Sequence, residues 1–75
     1  MNKARRKIIN ENKEMLSKIK DDLSDVLSDE EMALDNAIEY FPDAERTQAM
    51  EEAVDILTDA VDSLDEVIDK LDEIE

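Results

Sequence analysis

The chain has 75 residues with 23 acidic and nine basic side chains, a formal net charge of −14, and a domain this short buries only about 60% of its unfolded surface. It has no Cys and no His, which excludes disulfides and zinc sites of the usual N/S type and leaves oligomerisation as the ordinary staple of a small fold. The absence of Gly, a single proline at Pro42 and only two aromatics argue against a strand-rich fold, and no apolar run approaches the roughly 18 residues of a membrane span.

The first predicted element is a helix over about residues 3–40. Ile9, Leu16, Ile19, Leu23 and Val26 recur at the a and d positions of a heptad, with Asn12 as the polar exception. Position e holds Arg6, Lys13, Lys20 and then Leu27, and position g holds Ile8, Met15 and Asp22. After Leu27 the run Ser28-Asp29-Glu30-Glu31 has no apolar residue, and the pattern resumes out of phase at Met32, Leu34, Ala37, Ile38 and Phe41. Ser28 and Glu31 have capping-box spacing, so the helix either continues with a bend or restarts here.

A turn is predicted over about 41–44. Pro42 disfavours helical geometry at Phe41, and Asp43 suits the N-cap of the next helix. Tyr40 and Phe41 are expected to close the end of the apolar seam.

The second helix, about 45–74, carries the clearer heptad. Val54, Val61 and Ile68 fall at a; Met50, Leu57, Leu64 and Leu71 fall at d; Ala53, Ala60, Val67 and Ile74 fall at g and widen the apolar face. Its acids fill e, b and f, with Thr58 as the exception at e. These positions are neighbours round the helix, so one acidic strip lies beside one apolar strip.

Two helices on a short connection run antiparallel, which sets e beside e and g beside g. Lys13 and Lys20 then face Asp72 and Asp65, while apolar g positions line the other flank. The fold expected is an all-α, single-domain, antiparallel helical hairpin of coiled-coil type. It dimerises through the flank Ala53, Ala60, Val67 and Ile74 into a four-helix bundle. Folding about residue 43 leaves roughly the first ten residues overhanging.

Catalysis and metal binding have little to work with. A calcium loop of the EF-hand type needs a Gly at its sharp turn, a di-iron bundle needs Glu-x-x-His, and Ser17, Ser24, Ser28 and Ser63 have no His base. The expectation is no enzyme activity, no metal and no cofactor. The charge layout is more informative. Residues 1–20 hold seven basic and two acidic side chains, residues 21–43 nine acidic and no basic, and residues 44–75 twelve acidic and two basic. The basic segment serves as counter-charge to the acidic one; direct nucleic-acid or membrane binding is not expected, because a net −19 over residues 21–75 opposes it. Duplex DNA presents one negative charge per about 1.7 Å of axis. The second helix presents one per roughly 4 Å, and the acids of 21–43 bring the turn-proximal half nearer the duplex value. The candidate partner-binding surface is therefore Asp21, Asp22, Asp25, Asp29, Glu30, Glu31, Asp35, Glu39 and Asp43, with Glu51, Glu52 and Asp55 opposite.

Residues 29–71 carry an acidic run, Asp35-Asn36, Pro42, Glu51-Glu52-Ala53 and Asp62-Ser63-Leu64. In this pattern the chain resembles a group of small acidic proteins encoded by phages and prophages of low-GC Gram-positive bacteria. Pro42 lies further from Asp35-Asn36 here than in that group. The resemblance implies a viral protein at work in the cytoplasm of a bacterial host. The job it suggests is to inhibit a basic nucleic-acid-binding partner, such as an RNA-guided defence nuclease, by imitating DNA (an anti-CRISPR type of action). The other expectation is a structural or adaptor module that assembles through its apolar flank.

Overall fold

Asn2 starts the first helix. Its Oδ1 accepts a hydrogen bond from the Arg5 N–H at 2.8 Å, which satisfies one of the amides a helix start leaves open. From there α1 runs without interruption from Lys3 to Tyr40, and α2 from Glu45 to Asp72. The computed structural model describes residues 1–40 and 45–74; the predicted turn at 41–44, with Phe41, Pro42 and the Asp43 cap, lies outside the described residues. All the regular structure described is helical, and the two helices pack as a hairpin. Its extents are 57 × 15 × 13 Å. At 1.5 Å per residue the 38 residues of α1 account for the whole length, and α1 outruns the 28 residues of α2 by ten.

The pairing face of α2 is the one its heptad predicts. Met50, Val54, Leu57, Val61, Leu64, Ile68 and Leu71 are all half-buried, and Thr47 at the head of the row is the one fully buried residue described. The face of α1 is not the predicted one. Ile19 and Val26 at d are 47% and 51% exposed. The half-buried row is instead Ile9, Lys13, Leu16, Lys20, Leu23, Leu27, Glu30, Leu34 and Ala37, which is a with e.

The physical reason lies in what each row can continue with. The a/e row keeps alternating steps of four and three through Ser28–Glu31, so Leu27, Leu34 and Ala37 join one stripe and no phase shift is needed. The capping-box spacing at Ser28 starts nothing, because α1 passes straight through it. The same rotation carries Lys13 and Lys20 to the edge of α2. Their stems cover apolar surface and their ammonium groups reach the carboxylates beyond it.

The two lysine bridges step by seven residues in opposite senses along the helices, which establishes the antiparallel register. Carried along, it sets Leu16 level with Ile68, Leu23 with Val61, Leu27 with Leu57, Leu34 with Met50 and Ala37 with Thr47. Thr58, at the gap in the acidic row, donates to the Val54 carbonyl at 2.8 Å within its own helix.

Candidate functional site

Charge is balanced at one end of the hairpin only. Lys13 pairs with Asp72, and Lys20 with Asp65 at 2.7 Å, both in the half remote from the connection. The hydrogen bond that the Lys20 ammonium donates to Asp65 holds its pKa above the usual value, helped by the Asp65 charge and by Asp21 and Asp69, while desolvation pulls the other way. Lys7 lies 3.9 Å from Glu11 on the open surface of the α1 overhang. Beyond Lys20, Arg46 is the only base before Lys70 in the sequence.

The acids predicted to bind a partner do not share one face. Asp21, Glu31 and Asp35 lie on the same flank as Glu51, Glu52 and Asp55, and all six are exposed. Asp22 and Asp29 lie on the opposite flank at g, and Asp25 and Glu39 on the back of α1; these too are exposed. Glu30 continues the a row of Ile9, Leu16 and Leu23 and is half-buried. Asp43 lies outside the described residues. On α2 the e, b and f positions do form the continuous acidic strip that the heptad implies, exposed from Glu51 to Glu73.

Tyr40 does not close the seam. It is 71% exposed and borders a shallow groove lined by Asn36, Ala37, Arg46, Thr47 and Met50.

The opposite flank is apolar and open. Ile8 and Met15 at g and Ile19 and Val26 at d project from α1, beside Val67 and Ile74 of α2, and each is exposed by 41% or more. Ala53 and Ala60, at the same g position of α2, are half-buried. Among the described residues no hydrophobic side chain is fully buried. None of their carboxylates group as a metal ion would require, and no described helix is long and apolar enough to cross a membrane.

Comparison with protein-family models, curated proteins and solved structures yields no match.

Proposed function

We propose that this chain is an acidic decoy that occupies the nucleic-acid channel of a basic host protein, working as a homodimer of hairpins. The observation that carries this reading is the lopsided neutralisation of the rod: both lysine bridges sit remote from the connection, and Arg46 is the one basic residue in the sequence between Lys20 and Lys70. Fixed carboxylates on a stiff scaffold attract a basic cleft without the ordering cost of a flexible tail. The resemblance of residues 29–71 to acidic phage proteins supports a viral setting, a bacterial cytoplasm and a defence nuclease as the class of partner. The dimer is supported by the open apolar flank and by the lack of any fully buried hydrophobic residue among the described residues, since a two-helix monomer has little else to hold it.

A second reading, an assembly module that uses the flank itself, is favoured by the exposure of Val67 and Ile74 beside Ala60. Capture from host lysate separates the two. An electrostatic partner is released by raised salt and by added duplex DNA, and is lost when Glu31, Asp35, Glu51, Glu52 and Asp55 become their amides. It is retained when Ala60, Val67 and Ile74 become Glu. Retention in high salt and excess DNA, with loss in the Glu variant, overturns the decoy and leaves the module.

A further inference from the structure

The flank that α1 turns away from α2 is self-complementary when reversed. Its outward d and g positions, read from the overhang toward the connection, are Met1, Arg5, Ile8, Asn12, Met15, Ile19, Asp22, Val26, Asp29 and Ala33. All are exposed except Ala33, which is half-buried. Antiparallel helices pair such rows so that a g residue of one meets a d residue of the other. Folded about the level of Ser17, the row matches itself. Met15 meets Ile19, Asn12 meets Asp22, Ile8 meets Val26, Arg5 meets Asp29, and Met1 meets Ala33. Apolar residues meet apolar ones, the amide can donate to a carboxylate, and the lone charged pair has opposite signs. Shifting by one heptad breaks the match in either direction, by setting Met15 against Asn12 or Ile19 against Asp22.

The second helix agrees independently. Ser17 and Ile68 border one groove, so a two-fold axis at Ser17 crosses α2 near Ile68. About that level the g strip of α2 sets Val67 against its own copy and Ala60 against Ile74, small against large. One axis thus serves both helices, as an isologous interface requires. At the rim, Ala4 meets Met32 while Glu11 and Asp25 carry like charge; rim charges act on association rate and salt response more than on affinity.

Building on the homodimer reading above, we propose that the occupant of this flank is a second copy of the chain in one defined register. The α1 helices run antiparallel about Ser17, with Arg5 of each protomer on Asp29 of its partner. The connections then point to opposite ends of the assembly. Asp22 and Asp29 are enclosed in the interface, and the outward anionic surface is left to the e, b and f strip of α2 with Asp21, Glu31 and Asp35, and to Asp25 and Glu39 on the back of α1.

The chain has no cysteine, so a single Glu31→Cys substitution on an exposed position away from the flank accepts one spin label per protomer. Fourteen residues on each side of the axis, plus the spacing between helices, place the two labels about 45 Å apart. A register one heptad away gives about 35 or 55 Å, and parallel protomers give less than about 25 Å; any of these overturns the register while leaving a dimer. A monomeric mass by light scattering at the labelling concentration overturns the dimer itself. Charge exchange supplies a second readout. Arg5→Glu is expected to weaken dimerisation roughly tenfold or more, and Arg5→Glu with Asp29→Arg to recover it. An acid at position 5 suits the helix N-terminus, so helicity at high concentration is retained. A double variant weaker than either single one contradicts the pairing.

Discussion

Lys20 shows how a charged residue can serve a seam. Its stem lies in the half-buried row and its ammonium is held by Asp65 at 2.7 Å. The bond favours the protonated form in the folded chain, so the Lys20 pKa stands above its ordinary 10.5. A raised folded-state pKa contributes stability in full below the unfolded value and loses it as pH climbs through the folded one. The melting temperature of the wild type is therefore expected to fall faster above about pH 10.5 than that of a Lys20→Met variant. Parallel curves for the two proteins in thermal melts across that range would remove the bond from the stability of the hairpin. The partners Asp65 and Asp72 were legible in the sequence because opposite charges recur at matching e positions. Asn2 and Thr47 were not. The Asn2 cap depends on where the first turn begins, which a run of basic residues does not announce, and a threonine at the head of the apolar row does not announce its own burial.

At the scale of the element, α2 was readable and α1 only in outline. The apolar residues of α2 occupy a and d with acids filling e, b and f, so one face alone can turn inward. In α1 three rows compete: d and g offer Ile8, Met15, Ile19 and Val26, and e becomes apolar from Leu27 onward. Hydrophobicity favours Ile19 and Val26, whereas pairing with the acids of α2 and continuity past Glu31 favour Lys20, Leu27 and Leu34. The choice is made by the partner helix, which is why periodicity within α1 could not reveal it. Substitution tests the outcome. Leu23→Ala should destabilise the hairpin by roughly 1–2 kcal/mol, about half the cost of truncating a fully buried Leu. Val26→Ala should leave the intrachain pairing intact and act on self-association alone, as denaturation followed over a range of protein concentrations will show. The ends of α1 also oppose its macrodipole, with Lys3, Arg5 and Arg6 near the start and Glu39 in the last turn. Glu39→Lys should thus raise stability by about 0.3–1 kcal/mol in chemical denaturation. If the acidic surface is functional, the same change weakens capture of the basic partner, separating stability from activity in one variant.

Across the whole molecule, the net charge of −14 on a rod 57 Å long makes electrostatic repulsion a cost of folding. Added salt shortens the screening length from about 10 Å at 0.1 M to about 3 Å at 1 M. The melting temperature should consequently rise with sodium chloride, while affinity for a basic partner falls over the same range. A hairpin whose melting temperature drops steadily with salt would show instead that its lysine bridges outweigh its crowded acids. Helical class and antiparallel pairing were evident before any coordinates. The division of the acids among several faces was not, because it follows from the rotation of α1. One further consequence comes from Thr47 being the single fully buried position among the described residues. Replacements on open surface usually shift stability by no more than about 0.5 kcal/mol. The exposed sites of this rod can therefore change their letters while the alternation of greasy and anionic positions endures. Over evolutionary time such a lineage would drift out of recognisable identity long before it lost its shape.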